Sequence, residues 1–311
     1  QLFLEPEGIS TVEYYVNGNL KHEKEYNKGK NDGIFRSYTE DGTVILYQEY
    51  SNDRLDGISK KFYDNGNLCE RYLYSKGKKN GTFKTYYENG ELQLEGSFFN
   101  DLEDDEWTAY HKSGKIFYKG SYSEGKKTGF WEWNYNTGQA LLRGEFDEGL
   151  EDGEWVAYYI NGQVFFKSKF VKGKHRGERV SYYSDGKKQL IGKYLNGGSS
   201  EELTWYYHNG IVAKKEKYIE GVGREAVWQY ENGKKLAEGK YTYWGLFDGV
   251  WKAWYPNGKL AAQCSFREGA MSGYWTIWNE KGKIIRRDFF NKNGTYRTLI
   301  SNIPKDYNTS S

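Results

Sequence analysis

Residues 84–99 read KTYYENGELQLEGSFF, in which Asn89 and Gly90 separate two segments rich in aromatic and aliphatic residues. An Asn-Gly pair between two such segments is the strongest short-range signal for a β-hairpin, because a type I′ turn needs positive φ at both central residues. Residues 60–74, KKFYDNGNLCERYLY, repeat the arrangement around Gly66. The sequence therefore predicts one hairpin per repeat, with a two-residue type I′ turn favoured at the Asn-Gly pair and a longer turn or a bulge as the alternative.

The turn glycine recurs about every 24 residues, with one step shortened by a single residue and the next lengthened by one. Its positions are Gly18, Gly42, Gly66, Gly90, Gly114, Gly138, Gly162, Gly186, Gly210, Gly233, Gly258 and Gly282. Fixed periods of roughly 20 to 50 residues are typical of solenoids, propellers and arrays. We predict an all-β fold, an elongated and twisted array of about twelve tandem antiparallel β-hairpins, each about 24 residues long.

Residue types also recur at fixed distances from each turn glycine, and we number these positions from it. An aromatic residue stands at position +8 in all twelve units, and at +6 the chain repeatedly has glycine: Gly96, Gly120, Gly144, Gly192 and Gly239. Positions of equal parity share one face of a strand, so a glycine there leaves room for a neighbouring ring. With two-residue turns, the tryptophans at −7 share this face, which we predict to be the buried one: Trp107, Trp131, Trp155, Trp251 and Trp275.

A second connection follows at position +11. It carries Gly29, Gly77, Gly125, Gly149, Gly173, Gly197, Gly221 and Gly269, with Asp53, Asp101 or Asn293 in the same slot, and Gly245 arrives one place late. These residue types tolerate left-handed φ, which a tight reversal between hairpins requires.

Another aromatic stands at −4 in ten of the twelve units. Its parity is opposite to that of the tryptophans, so this row lies on the other face, where the second strand is mostly polar. A regular stripe of rings on a polar face is typical of a ligand platform, since tyrosine offers large contact area at low entropic cost. We predict that Tyr86, Tyr110, Tyr158, Tyr182 and Tyr206 form the ligand-binding stripe.

Composition favours an ordered, surface-rich chain. Mean hydropathy is −0.93, yet 18% of the residues are aromatic and bury large apolar areas. Formal net charge is +2, with 45 basic and 43 acidic residues mixed along the chain, which argues against nucleic-acid binding. No apolar run is long enough to predict a transmembrane segment. The chain begins at Gln1 and its only methionine is Met271, so we expect that an upstream segment was removed, either by cleavage of an export signal, which we favour, or by trimming of the sequence. That favours a secreted, cell-surface or periplasmic location over a cytoplasmic one.

Residues with catalytic or metal-binding chemistry are scattered. His22, His111, His175 and His208 lie in different repeats, without clustered Cys, Asp or Glu at metal-ligand spacing. Cys69 and Cys264 lie eight repeats apart, too far for a disulfide in a straight array. No nucleophile motif is present. The sequence thus predicts a chain that is not an enzyme and has no metal site or cofactor.

The pattern G-x-[FW]-x-x-Y-Y-x-x-G, followed by an apolar residue, an aromatic residue and G-K-x-x-G, resembles the MORN repeat and in particular its bacterial variant. It is clearest in residues 81–125, 153–177 and 249–273, and the resemblance covers roughly residues 9–294. Glu201 and Arg224 or Glu225 stand where glycine is expected, which predicts a local irregularity. We divide the chain into an N-terminal cap at 1–8, the repeats at 9–294, and a closing strand and tail at 295–311.

The resemblance implies a scaffold for membrane-surface or protein attachment, and some bacterial members of the family are antitoxins. Three functions follow as expectations. The first is a non-enzymatic scaffold that binds a protein or a surface polymer along the aromatic face. The second is a toxin-neutralising partner, and the third is a glycan-binding or cell-wall-binding module, because cell-wall repeats also alternate Trp, Tyr-Tyr and Gly in hairpins.

Overall fold

A computed structural model describes residues 9–195, 200–291 and 295–301. The described residues form β-strands joined by turns, without any helix, and the chain divides into two compact units, the first ending at Gly162 and the second beginning at Gln163. In each unit the strands pair antiparallel with their neighbours in sequence, except that Lys78–Lys79 and Gly81–Tyr86 pair with the same preceding strand. The predicted all-β array of tandem hairpins is confirmed.

The first unit contains β1 Ile9–Tyr14, β2 Leu20–Asn27, β3 Lys30–Tyr38, β4 Val44–Ser51, β5 Arg54–Phe62, β6 Leu68–Ser75, β7 Lys78–Lys79, β8 Gly81–Tyr86, β9 Leu92–Phe99, β10 Leu102–Tyr110, β11 Ile116–Ser123, β12 Lys126–Asn134, β13 Ala140–Asp147 and β14 Leu150–Tyr158. β7 and β8 both pair with β6 and flank Asn80.

The second unit contains β15 Val164–Val171, β16 Lys174–Tyr182, β17 Lys188–Tyr194, β18 Ser200–Tyr206, β19 Val212–Ile219, β20 Gly223–Gln229, β21 Lys235–Tyr241, β22 Phe247–Trp254, β23 Leu260–Arg267, β24 Ala270–Trp278, β25 Ile284–Phe290 and β26 Tyr296–Ser301. β26 pairs with β25. The predicted N-terminal cap, residues 1–8, and residues 302–311 of the predicted C-terminal segment lie outside the described residues.

The turns at the repeating glycines differ from the predicted type. The Tyr15 amide donates to the Asn19 carbonyl at 2.8 Å, and the Gly18 amide donates to the Tyr15 carbonyl at 3.0 Å, so three residues form the loop. Gly18 has φ of 88°, whereas Asn17 is not left-handed. The two-residue type I′ prediction was therefore wrong for these turns, which combine a tight turn with one left-handed glycine. The Asn17 side chain stabilises the turn instead. Its Oδ1 accepts from the Asn19 amide, and its Nδ2 donates to the Glu40 carbonyl in the next hairpin.

Each longer loop is followed by a bulge that restores the predicted pairing. Between β10 and β11, Tyr110 pairs with Ile116 while Ala109 pairs with Tyr118, so one residue of β11 is passed over. Beyond this bulge Trp107 lies opposite Gly120, as a two-residue turn would have placed it. The prediction of which residues share a face is consequently correct, although the turn on which it rested is not.

The type I′ turns occur at the second connection instead. Lys28 and Gly29 have φ of 51° and 76°, and the pairs Asn52 with Asp53 and Glu124 with Gly125 are also left-handed at both residues. These turns confirm the prediction that the +11 position needs left-handed φ. Gly197 and Asn293, predicted for the same slot, lie outside the described residues.

The buried face is a row of interlocking rings. Trp107, Trp131 and Trp155 are buried, while Trp251 and Trp275 are half-buried. A Cβ added to Gly96 would lie 2.4 Å from the Trp107 ring, and one added to Gly120 would lie 2.1 Å from the Trp131 ring. The predicted role of the +6 glycines, to leave space for a ring, is thus confirmed at these positions.

The rings also contact one another along the first unit, mostly edge to face. Successive centroids lie 5.2 Å apart from Phe98 to Trp107, 5.5 Å from Trp107 to Tyr122, and 5.2 Å from Tyr122 to Trp131. Lys127 lies over the Trp131 ring at 4.5 Å, and burial lowers the pKa of its ammonium group. The single-layer sheet of this unit thereby buries its largest side chains by packing them against each other.

Candidate functional site

Tyr110 of the predicted ligand stripe lies on the face opposite Trp107. The Tyr110 hydroxyl donates to Glu95 Oε1 at 2.7 Å, and Glu95 directly precedes Gly96, over which Trp107 packs. Adjacent residues of a strand point to opposite faces, so Tyr110 and Trp107 lie on different sides of the sheet. The predicted placement of the row is confirmed at this position.

The five predicted tyrosines are half-buried and divide between the units. Tyr86, Tyr110 and Tyr158 belong to the first unit, and Tyr182 and Tyr206 belong to the second. Tyr86 and Tyr110 are two strands apart, roughly 9.6 Å, and Tyr110 and Tyr158 are four strands apart, because Asn134 occupies the position between them. Rings at that separation do not stack on one another, because stacked pairs have centroids about 4.5–7 Å apart. The row is a series of separate aromatic positions, each with its own polar surroundings.

Charged side chains surround several of these rings. In the first cluster, Glu95 accepts from Tyr110 and from Lys84 Nζ at 2.9 Å. Lys84 holds the pKa of Glu95 below its ordinary value, with the Tyr110 hydrogen bond adding to the effect. Burial and the bond to Glu95 raise the pKa of Tyr110 to about 12. This arrangement connects strands β8, β9 and β10.

Two further clusters of the first unit have the same character. Glu23 accepts from Arg36 and from the Tyr38 hydroxyl, the latter at 2.8 Å. The Arg143 guanidinium lies 5.6 Å from the centre of the Tyr158 ring and donates to Glu132 at 2.8 Å. Tyrosine rings at −4 are therefore repeatedly combined with an ion pair on the same face of the sheet.

A second tyrosine row, at −3, has a structural role that the sequence analysis did not identify. Its side chains donate to the backbone carbonyl at −4 of the following repeat, as Tyr87 does to Tyr110 and Tyr135 to Tyr158, at 2.7 and 2.8 Å. The same bond is made by Tyr15, Tyr63, Tyr183, Tyr207, Tyr230 and Tyr255. The signal was the Tyr-Tyr pair of the repeat pattern, whose second member ties each hairpin to the next.

A pocket of about 420 Å³ lies in the second unit, where the repeat pattern breaks. It is lined by Glu216, Tyr218, Gly223, Arg224, Tyr241, Thr242, Tyr243 and Gly245. Arg224 Nη1 lies 3.7 Å from Glu216 Oε2, and Lys214 Nζ lies 2.5 Å from Glu216 Oε1. Burial raises the pKa of Tyr241, and the charge of Glu216 adds to this.

The irregular steps of the sequence explain this pocket. The step from Gly210 to Gly233 is one residue shorter than the common spacing, and β20 pairs with β19 without the bulge that positions the tryptophan elsewhere. The next step, to Gly258, is one residue longer than the common spacing, and the added residue lengthens the connection in which Tyr243 and Trp244 are 73% and 83% exposed. The irregularity predicted at Arg224 or Glu225 is present, but the pocket it produces was not anticipated.

Other functional groups are sparse. The parts of the chain that the structure describes hold no group of three His, Cys, Asp or Glu residues able to bind a metal ion. Within the same residues no helix has the length and apolar character needed to cross a membrane. Cys69 and Cys264 are both free thiols.

The fold and its surfaces define a class: a repeat scaffold made of antiparallel β-hairpins, each tied to its neighbours by aromatic packing and turn hydrogen bonds. Three segments, residues 55–76, 79–100 and 247–268, match the family model of the MORN repeat variant. These segments are MORN repeats of the variant type, as the sequence pattern predicted.

Comparison with other proteins adds little beyond the family. No curated protein matches the chain significantly. Among solved structures, TcdB2-TccC3 is similar at 11% identity over 97% of this chain and 18% of that one, with a TM-score of 0.19. A Photorhabdus luminescens Tc holotoxin pore matches at 11% identity over 95% of this chain and 17% of that one, also with a TM-score of 0.19. The chain spans less than a fifth of these structures, and such TM-scores carry no functional argument.

Proposed function

We propose that the chain is a non-enzymatic scaffold that binds a partner protein along the face carrying the −4 tyrosines. The observation that supports this most strongly is the repeated combination of a half-buried tyrosine ring with an ion pair, as at Tyr110 with Glu95 and Lys84. Tyrosine and arginine are enriched among the residues that contribute most to protein interfaces, and charged residues suit the rim.

The open face also favours docking. Strands of the first unit contact their neighbours in the sheet, and no other layer of residues 9–162 covers either side. The tryptophan face is closed by its own rings, because Trp107 is only 6% exposed and Trp131 only 1%. The tyrosine face therefore offers the accessible aromatic surface. A stable interface buries about 800 Å² per partner, so a partner protein must span several repeats.

The experiment is a paired measurement of affinity and stability. A pull-down identifies the protein partner, whose affinity is then measured for the wild type and for a variant with Tyr86→Ser, Tyr110→Ser and Tyr158→Ser. Loss of three interface rings should weaken binding by a few kcal/mol, about a hundredfold. A matched variant with Phe at the three positions keeps the rings and should retain most of the affinity.

The structural alternative gives the opposite result. If the Ser variant binds normally but unfolds at a much lower temperature, the row is part of the core and the proposal fails. Recovery of a polysaccharide in place of a protein would also contradict it and would support the glycan-binding alternative. The toxin-neutralising alternative stays a prediction from the family resemblance.

A further inference from the structure

The pocket beside Arg224 lies next to a position at which several other repeats hold a tryptophan side chain. Trp251, at −7 of the next repeat, covers Gly239 and lies 5.0 Å from the Tyr241 ring and 6.5 Å from the Phe266 ring. One repeat earlier the corresponding positions hold Ala226 in place of the tryptophan and Glu216 in place of the glycine. The two flanking rings, Tyr218 and Tyr241, remain and line the pocket.

The pocket is therefore lined by two rings equivalent to those that flank Trp251 in the next repeat. Ala226 is only 1% exposed and pairs with Glu216, so its methyl group is covered, and the cavity lies beside it along Glu216, Arg224 and Gly245. A volume of about 420 Å³ suits a small ligand or one large side chain. Planar aromatic groups fit best between tyrosine rings, because ring pairs attract at offset or edge-to-face geometry.

Arg224 is the group of the pocket lining that can bind an anion. Glu216, the acidic residue of the lining, is paired at 2.5 Å with Lys214, which lies outside the lining, and lies farther, at 3.7 Å, from Arg224. Arg224 has five donor hydrogens, yet its contacts with the described residues are long: 3.4 Å to Ser200 Oγ and 3.7 Å to Glu216. A guanidinium with spare donors binds a carboxylate through two parallel hydrogen bonds.

The backbone at the rim is fixed. A Cβ added to Gly223 would lie 2.1 Å from the Tyr241 carbonyl oxygen, so β20 passes close to the connection that follows β21. That connection carries Tyr243, whose ring contributes to the pocket although it is largely exposed. The missing residue before Ala226 and the extra residue after Tyr241 thus lie on the two sides of one cavity.

We propose that this pocket binds an aromatic carboxylate, with the ring against the tyrosine side chains that line the cavity and the carboxylate on Arg224. The same chemistry is offered by a free aromatic acid and by an aromatic residue at the C-terminus of a polypeptide. The site is independent of the −4 tyrosine row, so either proposal can fail without the other.

Calorimetric titration of the full chain tests the assignment. The probes are indole-3-acetate, N-acetyl-L-tryptophan as a mimic of a C-terminal residue, its neutral amide, and cyclohexylacetate as an acid without an aromatic ring. The two indole acids should bind at least about tenfold more tightly than the amide or cyclohexylacetate, because a hydrogen bond to a charged group contributes that much. If the two indole acids bind equally, the site accepts both a free aromatic acid and an aromatic C-terminal residue. If only indole-3-acetate binds, the ligand is a free acid; if only N-acetyl-L-tryptophan binds, it is a C-terminal residue.

Two variants locate the binding. Arg224→Met should weaken the indole acids at least about tenfold, and Tyr218→Leu should weaken every aromatic probe. Arg176→Met changes an exposed arginine of the same unit and should leave binding unchanged. Circular dichroism of each variant verifies that it is folded. The proposal is overturned if neither indole acid binds at millimolar concentration, or if folded Arg224→Met binds them as the wild type does.

Discussion

Replacing Gly120 by alanine tests the packing of the Trp131 ring over this glycine. The Gly120 backbone is not in a left-handed conformation, so alanine is compatible with it. On backbone grounds alone the change should stabilise the protein by about 0.4–1 kcal/mol, since it restricts the unfolded chain. The new Cβ, however, would lie 2.1 Å from Cδ2 of Trp131, where ordinary contacts are 3.4–4 Å.

The size of the effect follows from how firmly Trp131 is held. Its ring is 1% exposed and is enclosed by Tyr122 at 5.2 Å, Phe146 at 5.9 Å and Lys127 at 4.5 Å. Overpacking of this kind costs about 1–3 kcal/mol when neighbours adjust. Complete expulsion of the ring would expose roughly 200 Å² and cost about 5 kcal/mol. We therefore expect Gly120→Ala to lower the free energy of unfolding by about 2–4 kcal/mol.

The assay combines urea unfolding, followed by circular dichroism, with hydrogen exchange of peptides covering residues 116–134. Exchange is needed because a repeat protein can open locally before it unfolds. Gly149→Asp is the matched control, since Asp53 and Asp101 occupy the equivalent turn position with φ of 67° and 73°. It should change stability by less than about 1 kcal/mol.

A double-mutant cycle isolates the clash. In a Trp131→Leu background the ring is absent, and Gly120→Ala should then be nearly neutral. If alanine at this position costs the same with and without the tryptophan, or if it stabilises the wild type, the ring-over-glycine packing is not what constrains the repeat.

Three further outcomes follow from other contacts. Tyr135→Phe removes the hydroxyl that donates to the Tyr158 carbonyl at 2.8 Å, and should cost about 0.5–1.5 kcal/mol locally, seen as faster exchange around residues 134–139; unchanged exchange would deny the −3 row its linking role. The pKa of Tyr110 is raised from 10.0 to about 12 in the folded state, so its stabilising contribution is complete below pH 10 and is lost as the pH rises through 12. Tyr110→Phe should flatten the loss of stability over that interval, and an unaltered alkaline profile would contradict this. Asp288 is fully buried and ion-paired with Arg286 Nε at 2.8 Å, so Arg286→Met should cost about 3–5 kcal/mol in urea unfolding, whereas the double change with Asp288→Gly should cost less; equal losses would show that the buried charge is not responsible.

Sequence periodicity predicted the hairpin array and the two faces because strand parity is a strict geometric rule. The +6 glycines at Gly96 and Gly120 were correctly assigned to ring packing on that basis. Turn type was predicted from local preference alone, and it failed because only the glycine is left-handed; the Asn17 side chain instead accepts from the Asn19 amide and donates to Glu40 in the next hairpin. Contacts between repeats are not visible in the preferences of a single turn.

The pocket could not be predicted from the sequence. The shortened and lengthened glycine steps, and the non-glycine residues at Arg224 and Glu225, were visible in the sequence. The pocket that they produce was not visible, because it forms between the start of β20 and the connection after β21. These two segments come together only when Arg224 pairs with Tyr241. Ala226 alone also does not predict a pocket. Its meaning depends on knowing that the equivalent position of the next repeat holds Trp251.

The bulge that follows each glycine turn has a consequence for how such a chain can change length. The bulge between Ala109 and Tyr110 compensates for the extra loop residue within the same hairpin. The side chains of the next hairpin therefore keep the same assignment to the two faces of the sheet. Whole units can then be duplicated or deleted without turning the core side chains of later strands outward. The same self-correction confines a one-residue deletion to its own neighbourhood, so a binding cavity can arise in one repeat while the others keep their packing.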